Sequence, residues 1–219
     1  MRLALAQRAD RARFRRGVGA RPVPGLRRLG SDSAGWTVPV GVIEVGWRCY
    51  TVGVGEDMTF DNALADMGCE VIAIDPTPRA IAHFHKCARS TIELQEYALW
   101  VEDGETEFFE PQNPRHVSHS IGDMQHTGQS ITVQTRSLPS LAQELGHDEI
   151  QLIKLDIEGA EFEVLQRLDL RALDVRILCV EYHNRDGVRA MLASVDHVRS
   201  QGYEPVHVHM TDVTFVRRV

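Results

Sequence analysis

Four short apolar runs in this sequence lead into acids. Glu56 and Asp57 follow residues 49–54, Asp75 follows 70–74, Asp156 and Glu158 come at and just after the end of 150–156, and Glu181 stands with His183 at the end of 176–182. Carboxylates in such places accept hydrogen bonds from a sugar diol or take the proton of a hydroxyl, and a neighbouring imidazole can do the same work. The first cluster also holds glycine. In CYTVGVGEDMTFD, Cys49 to Asp61, Gly53 and Gly55 let the backbone turn sharply and approach a ligand, and a helix starting near Asp57 offers free N–H groups. Asp75 lies 20 residues after Gly55, the spacing of an acid that binds a ribose.

These features fit a nucleoside-containing cofactor, and spacing alone leaves a dinucleotide and S-adenosylmethionine both open. Asp57 bears on the choice, because it stands where a third glycine is expected and its charge would repel a pyrophosphate. S-adenosylmethionine has no phosphate and carries a sulfonium and an ammonium, so an acid-rich pocket suits it better. In KLDIEGAE, Lys154, Asp156 and Glu158 alternate with Leu155 and Ile157, placing the charged side chains on one face as the strand ends. Lys154 can instead pair with one of these acids, and Glu161 reads as a first-turn helix acid. Asp156, Glu158 and His183 are the candidate catalytic residues. No metal is expected: His83 with His85, and His207 with His209, lack a third ligand, and a set of Asp156, Glu181 and His183 has no helix-borne ligand motif behind it.

The elements that must position these residues alternate. Residues 49–54 read as a strand, and Phe60, Ala63, Leu64 and Met67 then recur on one helix face. EVIAI, 70–74, is a second strand, followed by a helix with Thr77 as cap and Pro78 in its first turn. A helix over 137–145, a strand over 150–156, a helix over 160–168, the strand RILCVEY and a longer helix from Val188 continue the pattern. Two final strands, 203–209 and 212–218, are joined too briefly to be parallel. The fold class is α/β, an open, mainly parallel sheet with one reversed strand near its end, and ligands of such sheets bind at the carboxyl ends of the strands.

Composition sets bounds. The 219 residues, 43% hydrophobic and 25% charged, are enough for one buried core. The net charge of -7 conceals nine arginines and one acid in residues 1–30, leaving about -15 on the rest, which argues against nucleic-acid binding by the body. With Pro22, Pro24 and Gly25 breaking any long helix, residues 1–35 are expected to be a flexible arm ahead of a domain spanning 36–219. No apolar run approaches the roughly 20 residues of a membrane helix. Nor does the start carry a secretory core, so a soluble, cytoplasmic protein is expected. Cys49, Cys69, Cys87 and Cys179 have no metal-ligand spacing and read as inert thiols. Residues 111–130 lack an apolar period and read as a lid over the site.

The segments YTVGVGEDMTFD (50–61), EVIAIDPTP (70–78), NPRHVSHSI (113–121), IQLIKLDIEGAEFEVL (150–165) and VEYH (180–183) resemble the FkbM-type methyltransferases, over about residues 36–218. LIKLDIEGAE is the most specific of them. The resemblance implies a class I, Rossmann-like three-layer sandwich with a seven-stranded sheet, and S-adenosyl-L-methionine as cofactor. It also implies O-methylation of a small-molecule or sugar hydroxyl, with neither nucleic acid nor membrane as partner. It places Gly53, Gly55, Glu56, Asp57, Asp75, Ala98 and Asp156 around the cofactor. Thr51 departs from the broader class I pattern, replacing the acid often found two residues before the first glycine, as Asp57 replaces the third glycine. An NAD(P)-dependent oxidoreductase and a non-catalytic S-adenosylmethionine-binding protein are the competing readings.

Overall fold

The computed structural model describes residues 2–109 and 130–218, so the stretch 111–129 read above as a lid lies outside the described residues. In chain order the elements are α1 (Arg2–Val18), β1 (Leu26–Leu29), β2 (Trp36–Pro39), β3 (Arg48–Val52), α2 (Thr59–Asp66), β4 (Glu70–Ile74), α3 (Pro78–Cys87), β5 (Ile92–Gln95), β6 (Ala98–Leu99), β7 (Gly104–Phe109), β8 (Ser130–Arg136), α4 (Leu138–Glu144), β9 (Leu152–Leu155), α5 (Glu161–Arg167), β10 (Ile177–Glu181), α6 (Val188–Ser200), β11 (Tyr203–His209) and β12 (Asp212–Arg217). Seven strands form one sheet in the order β11-β12-β10-β9-β3-β4-β5. All are parallel except β12, which runs against both β10 and β11. This is the mainly parallel sheet with one reversed strand near the C-terminus that the alternation of elements predicts.

Period-two alternation sorts the strand residues onto two faces. Tyr50, Val52, Ile72, Ile74, Ile153, Leu155, Leu178 and Val180 join one core with α4, α5 and α6, while Cys49, Val71, Ala73, Leu152, Ile177 and Cys179 join another with α2 and α3. The central strands are buried on both faces, so they are apolar throughout, as parallel strands under helices must be. Cys49, Cys69 and Cys179 are free thiols within this interior. No helix among the described residues is long and apolar enough to cross a membrane.

The amino-terminal arm is a correction to the sequence reading. Residues 2–18 are helical, and Phe14 and Val18 are completely buried in the core over α6. Phe14 meets Tyr182 edge-on, with ring centroids 5.7 Å apart. Arg199 of α6 donates to the Val18 carbonyl, and the Arg21 amide donates to the Pro205 carbonyl at 2.8 Å. Pro22 and Pro24 do end the helix's reach, but only after it has docked. The body also begins before residue 36, because β1 pairs with β2 in a hairpin whose Trp36 and Val38 enter the second core.

Candidate functional site

β3 stops at Val52 because Gly53 turns left-handed, with φ +80°. A side chain there would collide with the Asp156 carbonyl oxygen, so only glycine lets the loop pass so close to the end of β9. Gly55 follows with φ +58°. The loop is then fastened by Asp75 at the end of β4. Its Oδ2 accepts from the Val54 and Gly55 amides at 2.9 and 3.1 Å, and its Oδ1 from the Thr77 amide and hydroxyl at 2.9 and 2.7 Å. Thr77 therefore starts α3 with its hydroxyl turned to Asp75 rather than capping the helix.

Asp57 takes up one of the N–H groups that the sequence reading offers to a ligand at the start of α2. Its Oδ1 accepts from the Thr59 amide at 2.9 Å and hydroxyl at 2.5 Å, and its Oδ2 from the Ser31 hydroxyl at 2.7 Å. Burial pushes this carboxyl up, but the hydrogen bonds from Thr59 and Ser31 prevail and hold it below the usual range. α2 begins at Thr59, two residues beyond Asp57, for this reason. The bonds also tie the β1–β2 hairpin to the site.

A cavity of about 390 Å³ opens at the carboxyl ends of β3, β4 and β9. All seven residues named above for the cofactor, Gly53, Gly55, Glu56, Asp57, Asp75, Ala98 and Asp156, line it. Glu56 is also paired with Arg79 at 2.6 Å. Tyr97, Leu99 and Phe108 supply an apolar wall, which no sequence motif marked. Asp61 lines the cavity as well and was missed, although an acid between Phe60 and Leu64 on the buried face of α2 is itself a signal. Burial pushes its carboxyl up, with Lys154 and Thr51 opposing.

Asp156 and Glu158 line the cavity, and His183 is paired with Glu158. Lys154 is buried between the Gly53 carbonyl, to which it donates, and Asp156 Oδ2 at 3.3 Å. Burial disfavours its charge, but Asp156, Asp61 and Glu181 outweigh this and raise its pKa. Glu158 adopts φ +51°, uncommon for a residue with a side chain, which turns the chain between β9 and α5. His183 Nε2 is 3.1 Å from Glu158 and 4.0 Å from Glu181, and its Nδ1 is 2.8 Å from the fully buried Glu161. Glu161 also accepts from the Ile157 and Gly159 amides, both at 3.2 Å, so it is the organiser of this turn as well as a first-turn acid.

Burial alone would make His183 less basic, yet the Glu161 hydrogen bond and the charges of Glu161, Glu158 and Asp156 push it up to about 10. A raised pKa favours the imidazolium, which accepts protons poorly and pairs with Glu158. Burial, with Asp156 and Asp212, pushes Glu181 up to about 8. Asp156, Glu158 and His183 also bring ligand atoms within 4.8 Å of one another, a set able to hold a metal ion once His183 is deprotonated.

The sign of the pH dependence follows. Both pKa values lie above their ordinary 4.5 and 6.5, so the folded chain holds more protons than the unfolded one. The stability gained from His183 is complete below its unfolded value and fades as pH rises toward its folded one, while ionising Glu181 in the folded site becomes a penalty over its own interval. The melting temperature should therefore fall between pH 6 and 9, and Glu181→Gln should flatten that fall and melt above the parent at pH 9. An identical slope for the two proteins would contradict the arrangement.

The strand order, the glycine turn after β3 and the acids at the ends of β4 and β9 together define a class I methyltransferase fold with its ligand site at the carboxyl edge of the sheet. Residues 51–205 match the methyltransferase FkbM domain, and the chain belongs to that family. Similar proteins include the probable methyltransferase-like protein 24 of Rattus norvegicus, 33% identical over 124 residues, and that of Homo sapiens, 32% identical over the same length. The matched region is 56% of this chain and 28% of each relative. Among solved structures, the fibrillarin pre-rRNA processing protein of Methanococcus jannaschii aligns with a TM-score of 0.47 at 14% identity, covering 80% of this chain and 66% of the other.

Proposed function

We propose that the chain is an S-adenosylmethionine-dependent methyltransferase that methylates an oxygen, with a hydroxyl of a small molecule or sugar as acceptor. The observation that carries this reading is the acid-walled cavity, in which a glycine turn, Asp75, Asp61 and Asp156 surround space suited to a cationic nucleoside. The fit is chemical as well as spatial, since Asp61 Oδ1 is buried and lacks a hydrogen-bond donor, which a cationic ligand can supply. Bound there, S-adenosylmethionine would supply a methyl group activated by its positive sulfur. The chain's own task is then alignment and exclusion of water, effects worth about 7–11 kcal/mol.

Glu158, in the cavity wall, is the group that would receive the acceptor's proton, a contribution of about 10²–10⁴-fold. His183, as imidazolium, fixes Glu158, and Glu181 is the neighbour whose basicity lies near neutral pH. Asp156, which lines the same cavity and is tied to Lys154, would hold the cofactor beside Glu158. A dinucleotide is less well served, because the Asp57 carboxylate already takes the Thr59 amide that a phosphate would use. The reading is tested by incubating the protein with methyl-labelled S-adenosylmethionine and a panel of hydroxylated acceptors. Labelled methyl ether is the expected product; exclusive labelling of amines or thiols would overturn O-methylation.

A further inference from the structure

Two carboxylates in the cavity wall are buried, and they are in opposite states. Asp75 is 7% exposed and takes four hydrogen bonds; Asp61 is 5% exposed, and its Oδ1 has no donor. The Thr51 hydroxyl and the Asp61 backbone amide both temper the Asp61 charge, yet neither makes a hydrogen bond of ordinary geometry to Oδ1. Lys154 offsets the charge from a distance, with its ammonium engaged by the Gly53 carbonyl and Asp156. A buried carboxylate oxygen without a donor is costly, and the interior offers this one no partner among the described residues.

Asp61 sits in the first turn of α2, behind the glycine loop, and it opens on the cavity. A ligand that satisfies it must bring positive charge and an N–H together. We infer that Asp61 binds the α-ammonium of the cofactor's amino-acid tail, replacing the acid that Thr51 does not provide at the end of β3. This rests on the methyltransferase reading. Within S-adenosylmethionine, the sulfonium has charge but no N–H, while the ribose hydroxyls and adenine amino group donate without charge. Only the ammonium does both, and a charge-assisted hydrogen bond of this kind is about twice as strong as a neutral one.

The assignment is tested by calorimetry with two ligands, S-adenosylhomocysteine, which carries the tail, and 5′-methylthioadenosine, which lacks it. Asp61→Asn should weaken S-adenosylhomocysteine by about 10–100-fold and leave 5′-methylthioadenosine within about twofold. Asp61→Ser should give the same pattern. Equal losses for both ligands, or no loss for either, would overturn the assignment. A second arm needs no variant: deaminated S-adenosylhomocysteine, with a keto group for the ammonium, should bind the unaltered protein about 10–100-fold more weakly than the parent ligand. Equal affinity would again overturn it. If the unaltered protein binds none of these nucleosides, the methyltransferase reading fails first, an outcome distinct from failure of the Asp61 contact.

Discussion

Phe14→Ala should lower the melting temperature by roughly 6–20 °C. The ring is completely buried, meets Tyr182 edge-on and closes the core between α1 and α6. Truncating a buried phenylalanine costs about 3–5 kcal/mol, because the transfer energy is lost and a cavity remains. In a domain of this size each kcal/mol corresponds to about 2–4 °C. Gly17 marks the same contact, since a side chain there would run into Leu192. The effect should reach the site only indirectly: Tyr182 precedes His183, so some loss of turnover can accompany the loss of stability. A melting temperature within about 2 °C of the parent would mean that α1 does not dock in solution.

Glu158→Gln should lower turnover by about 10²–10⁴-fold while leaving the affinity for S-adenosylhomocysteine within about threefold. The side chain lines the cavity and is paired with His183 at 3.1 Å. Glutamine keeps the size and the hydrogen-bonding reach but cannot take the proton. Its removal therefore separates chemistry from cofactor binding, whereas loss of Asp61 should do the reverse. A variant that keeps its rate would move the proton to Asp156, Glu181 or water.

The sheet was legible because each central strand is a short apolar run bounded by glycine, proline or acid, and Thr77-Pro78 and Ser137 mark helix starts. The Ser137 hydroxyl does accept from the Ser140 amide, at 3.3 Å. The lining of the cavity was legible for the same reason: strand ends converge on one edge, so acids distant in sequence meet there. What escaped is tertiary. Arginines on α1 hid the fact that Phe14 and Val18 lie one turn apart and share a buried face. For His183 the position was visible in the sequence and the surroundings were not: Glu161 is 22 residues away, and their contact raises the pKa of the imidazole. The partner of Asp57, Ser31, sits in a hairpin that the sequence reading assigned to the arm.

The central claim is that the acid-walled cavity takes the cationic nucleoside of a methyl donor. It is tested most directly by calorimetric titration of the full chain with S-adenosylmethionine, S-adenosylhomocysteine, NAD and NADP under one set of conditions. The first two should bind with 1:1 stoichiometry, and both nicotinamide cofactors should be weaker by at least about tenfold, a difference of about 1.4 kcal/mol. Tighter binding of NAD or NADP, with no heat from the sulfonium compound, would contradict the account.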